Sequence, residues 1–142
     1  MSRPLYESEN DRRRERAAMD RLLKDSGKTT RKLPIRYEVD FAIIKDGEIV
    51  SWAEVKCRNN SSNLYSTLMI SAAKIWKGTT LSLQTGKPFF LIAEWTDCIG
   101  YLKVTNVGAF ELGFGGRTDR NDDQDIEPVY FIPIDMIKMK EE

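Results

Sequence analysis

The sequence predicts a mixed α/β fold in which one helix leads into paired strands and a second helix leads into further strands. Three observations carry that reading. Ala18, Met19, Leu22 and Leu23 recur at helical spacing near the start. Asp46-Gly47 stands between two β-prone runs, a strong hairpin signal. A continuous apolar run, PFFLIAEW, follows a long segment that ends in Gly86 and reads as a strand buried on both faces. At 142 residues the chain has the size of one domain, taken as 1–142.

In order, the first helix is expected from about Glu7 to Asp25, with Ser26-Gly27 ending it. SGKTTRKLP mixes Gly, Thr and basic residues before Pro34 and reads as a loop feeding a strand. IRYEVDFAII and EIVSWAEVKCR then form the hairpin strands. From Asn63 to Gly86 the length, the alanines and the terminal glycine favour a single helix, and its apolar residues on nearly every side predict that it is mostly buried. IGYLKVTNV alternates and reads as the antiparallel neighbour of PFFLIAEW. GFGGRTDRNDDQDIEP reads as a Gly-rich acidic loop, and PVYFIPI as a last short strand.

Composition removes several chemistries. Hydrophobic residues at 41% and charged residues at 31% are values of a chain that folds. There is no histidine, so Ser-His-Asp and Cys-His catalysis, histidine-ligated zinc and histidine general bases are excluded within the chain. Cys57 and Cys98 lack the spacing of a zinc site and are read as two reduced thiols. What remains is carboxylates, lysine, tyrosine, a thiol, or a hard metal bound through oxygen. No apolar run is long enough to span a bilayer and the first residues lack a secretory segment, so an intracellular, cytoplasmic protein with no membrane partner is expected. The formal net charge is zero, so any binding to nucleic acid must rest on local basic patches.

Chemistry concentrates at Asp40 and at Glu54-Val55-Lys56. An acid two before a lysine is expected about twice from composition alone, so the tripeptide is not specific by itself. Its setting is more informative. In WAEVKC, Ser51, Ala53, Val55 and Cys57 form one face of a strand, and Trp52, Glu54, Lys56 and Arg58 the other. A charged pair within so apolar a strand is costly unless compensated, and a divalent cation between Glu54 and Asp40 would compensate it.

With Asp40 in one strand, Glu54-Val55-Lys56 in the next, a leading helix that carries an acid and a long following helix with Ser and Lys, the chain resembles the PD-(D/E)XK nuclease superfamily. The likeness covers roughly residues 7–105 and is nearest to small bacteriophage-type and Holliday-junction-resolvase-like members. Val39 stands where that signature often has proline. The resemblance implies a restriction-endonuclease-like core of order αβββαβ, with a central mixed sheet flanked by helices. It also implies Mg²⁺-dependent hydrolysis of phosphodiester bonds in nucleic acid, with DNA the expected partner. Asp40, Glu54 and the Val55 carbonyl would hold Mg²⁺ or Mn²⁺, and Lys56 would orient the attacking water. Such enzymes often use an acid of the first helix, and Glu15 is the candidate because Ala18, Met19 and Leu22 place it on the core-facing stripe. An ordinary helix-surface acid is the competing account of Glu15. The competing account of the whole is a non-catalytic nucleic-acid-binding or virion-associated module on the same fold. A third, a carboxylate hydrolase of small molecules, would need a closed pocket. A homodimer would suit cleavage of two strands.

Contacts to nucleic acid are expected from Ser71, Lys74 and Lys77 on the long helix, from Arg58 on the catalytic strand, and from Lys28, Arg31 and Lys32 in the preceding segment. For Lys74 a lysine whose stem covers core surface explains the sequence as well. GFGGR lacks the Lys-Ser or Lys-Thr of a phosphate loop, and Asp119, Asp122, Asp123 and Asp125 lack the pattern of a calcium loop.

The hairpin itself sets a geometric condition. A regular two-residue turn at Asp46-Gly47 would place Asp40 opposite Ala53, and Glu54 would then point to the other face of the sheet. A shared metal requires either a three-residue loop or a β-bulge near Asp40. Asp40, Trp52, Glu54 and Lys56 would then share a face, with Val39, Phe41, Ile43, Ala53 and Val55 on the other.

Overall fold

The computed structural model describes residues 9–34, 38–116 and 126–142. Helix α1 (Glu9–Leu23) is followed by β1 (Thr29–Lys32), β2 (Phe41–Lys45), β3 (Glu48–Cys57), β4 (Thr67–Ser71), α2 (Ala72–Thr85), β5 (Phe89–Glu94) and β6 (Ile99–Lys103). β7 (Glu111–Gly116), β8 (Ile126–Pro133) and the short β9 (Lys138–Met139) complete it. Six strands form a mixed sheet in the order β1-β2-β3-β5-β6-β9, and β4-β8-β7 form a second sheet. β3 and β5 are parallel, joined by the crossover through β4 and α2, while the other pairs are antiparallel.

The main sheet is covered on both faces. α1 lays Ala18 and Met19 against Phe41, Ile43, Ala53, Val55, Ile92 and Ile99. On the other face Ala42, Trp52, Phe89, Leu91 and Ala93 pack with Ile75 of α2 and with Leu68, Ile70, Tyr130 and Ile132 of the small sheet. β3 therefore runs through the centre with apolar layers above and below it. This is the condition under which a charged residue on it becomes expensive.

The hairpin satisfies its geometric condition through a bulge. Asp46 and Gly47 both have positive φ, 52° and 79°, so the turn is the two-residue, primed type. Lys45 pairs with Glu48 and Ile44 with Ile49, but Ile43 pairs with Ser51, leaving Val50 as an extra residue on β3. From there the register runs Ala42 to Trp52 and Phe41 to Ala53, so the next step sets Asp40 against Glu54. The phase is the one a shared site needs.

Several expectations are corrected. The segment 63–86 is not one helix. Thr67–Ser71 is a strand, because alternate Leu68 and Ile70 are buried and the run pairs with β8, and the helix begins only at Ala72. Nor is α2 buried all round, since Leu83 is 86% exposed and the helix buries only Ala72, Ile75 and Gly78. Thr29–Lys32 is an edge strand, not loop, paired along β2. Glu111–Gly116, read as loop in its glycine-rich part, is a strand along β8, its glycines 113 and 115 giving room to Phe131 and to Met69 and Val129. Asp40 lies in a bend just before β2, not within the strand. The same bend carries Val39 into the core on the α2 side with Ala42 and Trp52, away from Phe41. The start of the first helix at Glu7, the strand residues 35–37 and the acidic stretch with Asp119, Asp122, Asp123 and Asp125 lie outside the described residues. Both cysteines are free thiols, and burial pushes that of Cys57 up to about 11.

Gly78 lets α2 sit close on β5. A methyl group there would come within 2.3 Å of Cζ of Phe89, itself fully buried. Gly78→Ala gains about 1 kcal/mol of helix propensity but overpacks this contact by about 1–3 kcal/mol. The expected outcome in a thermal melt is a lower Tm than wild type. An unchanged or higher Tm would show that α2 does not bear on Phe89 in this way.

Candidate active site

Glu54 sits on the central strand, on the face toward α2, and is only 2% exposed. Its Oε2 receives no hydrogen bond, and the nearest cation is Lys74 Nζ at 3.6 Å. Burial raises its pKa well above the ordinary carboxylate value, and the neighbouring Asp40 carboxyl raises it further, by hydrogen bonding to the protonated form and by repulsion. Lys74 works in the opposite direction and Glu15 adds to the rise.

Asp40 is fixed by three contacts. Its Oδ2 accepts a 2.9 Å hydrogen bond from the Val55 amide, so the acid is tied to the backbone between Glu54 and Lys56. Its carbonyl accepts from Leu33 N at 2.9 Å. Lys32 Nζ lies 3.9 Å from its Oδ1, with both side chains largely covered, donates to the Leu33 carbonyl and stands over the Phe41 ring. β1 thus holds the bend in place, although it was expected only as a basic loop.

Lys56 follows Glu54 on the same side of the strand. Burial, then the positive charges of Arg58 and Lys74, push its ammonium pKa down, against the pull of Glu54 and Glu15. For Lys74 burial also works downward, but Glu54, Asp40 and Glu15 outweigh it and the pKa is raised. Glu15, from α1, acts on Glu54, Lys56 and Lys74 alike, so the helix acid is brought to the same cluster. Asp11, earlier on that stripe, is exposed.

The other residues singled out in the sequence divide. Ser71 is at the N-terminus of α2, half-buried, and does not cap the helix with its side chain. Lys77 is exposed one turn beyond Lys74. Arg58 turns its guanidinium to the Met69 carbonyl at 2.6 Å, linking β3 to β4, while its own amide donates to Glu94 O. Lys28 and Arg31 are exposed, and Lys28 lines a depression between α1 and β1 with Arg16, Asp20 and Lys24, apart from Glu54. A second depression, lined by Leu64, Tyr65 and Pro133 among others, is also apart from it. Glu54 and Asp40 border neither depression. Among the described residues no three acidic or thiol side chains converge as a ready cation cage, so a metal here would rest on two carboxylates and main-chain or solvent oxygen.

One feature that the sequence did not announce is a clamp between α1 and the ends of β3 and β5. Glu94, opposite Cys57 across the β3–β5 pairing, faces Arg14 at 3.6 Å and Arg21 at 3.1 Å. Arg14 also donates to the Arg58 carbonyl at 2.7 Å and to Asn59. The helical spacing of Arg14 and Arg21, two turns apart, was the available signal.

Over residues 1–139 the sequence matches the family described as "Phage putative PDDEXK endonuclease". The chain belongs to this family. Among solved structures it is similar to Hjc, a Holliday junction resolvase from the archaeal hyperthermophile Archaeoglobus fulgidus, at 14% identity, with a TM-score of 0.55 and 87% of each chain covered. At that identity the likeness concerns the fold: a mixed sheet between helices, as the resemblance implied. No curated protein matches the chain in sequence. No helix among the described residues is long and apolar enough to cross a membrane.

For this member of the family the buried acid has a thermodynamic signature. Because the folded-state pKa of Glu54 lies above the unfolded value, the folded protein holds a proton there that the unfolded chain releases. The resulting stability is fully present below about pH 4.5 and is lost as pH rises through the folded pKa. In chelator, the Tm of wild type relative to Glu54→Gln is expected to fall between pH 5 and pH 8. Parallel pH profiles for the two proteins would show that the carboxylate is not held in this environment.

Proposed function

We propose that this chain is a divalent-metal-dependent nuclease that hydrolyses phosphodiester bonds in DNA, working as one domain over 1–142. The observation that carries the proposal is the Glu54 carboxylate, buried beside Asp40 with an oxygen that receives no hydrogen bond. Two carboxylates so placed repel one another and lose hydration, and a hard cation with oxygen ligands relieves both penalties. The donor set suits Mg²⁺ or Mn²⁺: Asp40, Glu54 and the Val55 carbonyl would hold it. When bound, such an ion polarises a phosphate oxygen and lowers the pKa of a coordinated water.

The chain's own residues supply the rest. Asp40 is prevented from swinging by the Val55 amide and Lys32, which keeps its carboxylate next to that of Glu54. Lys56, its ammonium pKa pushed down by burial and neighbouring cations, can orient a water by hydrogen bonding and stabilise charge building on the phosphate oxygens. Glu15 offsets the local excess of positive charge and supports the orientation of Lys56. Ser71 at the end of β4 and Lys74 and Lys77 on α2, with Lys28 and Arg31 near the other edge, are proposed to meet the phosphate backbone. The Hjc likeness makes branched DNA the first substrate to test, and a homodimer is the assembly that would cut two strands.

Alanine at Asp40, Glu54 or Lys56 should lower cleavage by at least about 100-fold with the fold retained. The assay is Mg²⁺-dependent cleavage of a panel of junction, flap, duplex and single-stranded substrates, with circular dichroism of each variant. Wild-type-like cleavage by Glu54→Ala, or cleavage that persists in excess chelator, would overturn the assignment. Binding of substrate without turnover by wild type in Mg²⁺ would favour the non-catalytic module.

A second outcome concerns the metal. Calcium, with its larger and looser coordination shell, should support substrate binding with little turnover, because it positions water less strictly than Mg²⁺ does. Equal cleavage rates in the two ions would contradict a site of this kind.

A further inference from the structure

The polar cluster around Glu54 contains three acids, Glu15, Asp40 and Glu54, and three lysines, Lys32, Lys56 and Lys74, so with Glu54 ionised their formal charges balance without a metal. Arg58, adjoining them, is fastened to the Met69 carbonyl. Entry of a divalent cation would leave this set with two surplus positive charges in a poorly hydrated place, where repulsion between cations is strong. One lysine must then move away or the ion will bind weakly.

The three lysines are not equally free to move. Lys32 is 15% exposed, lies beside Asp40 and donates to the Leu33 carbonyl. Lys56 extends from the central strand and is largely enclosed. Lys74 projects from the first turn of α2, its side chain is 52% exposed, and its Nζ stands 3.6 Å from Glu54 Oε2, which is buried and receives no hydrogen bond. A divalent cation held by that oxygen would bring its charge against the ammonium, which would then be repelled from the place it now occupies.

We infer that Lys74 is a resident counter-ion for Glu54 in the metal-free protein, displaced by the divalent cation and thereby released to bind a phosphate of the nucleic acid. The inference rests on the metal-dependent nuclease reading above and assigns Lys74 a further, positioning part in it. Metal entry and substrate binding are then coupled through one side chain: the ion frees the lysine, and the phosphate occupies it. By linkage, nucleic acid should in turn strengthen metal binding.

The test is isothermal titration of Mn²⁺ into the full chain without nucleic acid, using wild type, Lys74→Gln, Lys74→Arg and Glu54→Ala. Lys74→Gln should bind Mn²⁺ about tenfold more tightly than wild type, Lys74→Arg close to wild type, and Glu54→Ala not measurably. In a second measurement, binding of a DNA junction in Ca²⁺ should be weaker for Lys74→Gln, with the salt dependence reduced by about one phosphate contact. Unchanged or weaker Mn²⁺ affinity in Lys74→Gln, with Glu54→Ala still abolishing binding, would overturn the inference and leave the metal site standing. An unaltered salt dependence would likewise overturn the release of Lys74 to phosphate. Mn²⁺ binding that survives Glu54→Ala, or is absent from wild type, would overturn the metal site and the inference with it.

Discussion

A carboxylate buried in the middle of a sheet is unstable as an anion unless the surroundings supply opposite charge, and Glu54 is such a group. It sits on the strand that has a neighbour on each side and an apolar layer on each face, so water cannot solve the problem. The placement of nearby groups follows from this. Lys74 approaches from α2, Lys56 from two residues along the strand, and Asp40 is held against the strand by the Val55 amide. The crossover that makes β3 and β5 parallel also starts α2 close to Glu54, with no acid in its first turn to oppose that carboxylate.

Whether Asp40 can join Glu54 is decided ten residues beyond Asp40, at Val50. The primed Asp46-Gly47 turn suits the twist of the hairpin, but on its own it fixes the wrong phase. One extra residue on β3 corrects the phase and adds twist, and the correction falls between the turn and the site. Bulge and bend have different effects here. The bulge sets the face of Glu54 relative to β2, and the bend at 38–40 frees the Asp40 side chain from strict alternation, which is why Val39 packs on the α2 side.

Local signals made the main features readable. The stripe Ala18, Met19, Leu22 marked α1 and the face that carries Glu15, and the apolar run after Pro88 marked β5. The requirement for a phase shift was also readable from residue parity alone, though not its position, since Val50 carries no chemical mark of a bulge. What escaped was long-range pairing. Thr67–Ser71 has helix-compatible composition and becomes a strand only because β8, some sixty residues later, pairs with it. β7 escaped because its glycines signal a loop, whereas here they admit Met69, Val129 and Phe131 to the surface of the small sheet. At the site, the likeness to a nuclease family pointed to Asp40, Glu54 and Lys56, but Lys32 was read as a loop cation because nothing local shows that β1 pairs with β2.

The arginines of α1 illustrate the same limit in energetic terms. A chain with equal numbers of acidic and basic residues cannot surround itself with a positive field, so the direction of each arginine matters. Arg14 and Arg21 turn inward to Glu94, and Arg14 reaches on to the Arg58 carbonyl and Asn59 at the end of β3. Exposed ion pairs contribute little to stability, but these are partly covered and share one carboxylate, which improves their geometry and lowers the entropy lost per contact. Their consequence is positional. Arg14 precedes Glu15 directly, so fastening Arg14 to the end of β3 fixes the rotation of α1 about its axis and, with Ala18 and Met19 buried below, brings Glu15 to the side where its charge is felt by Glu54 and Lys56.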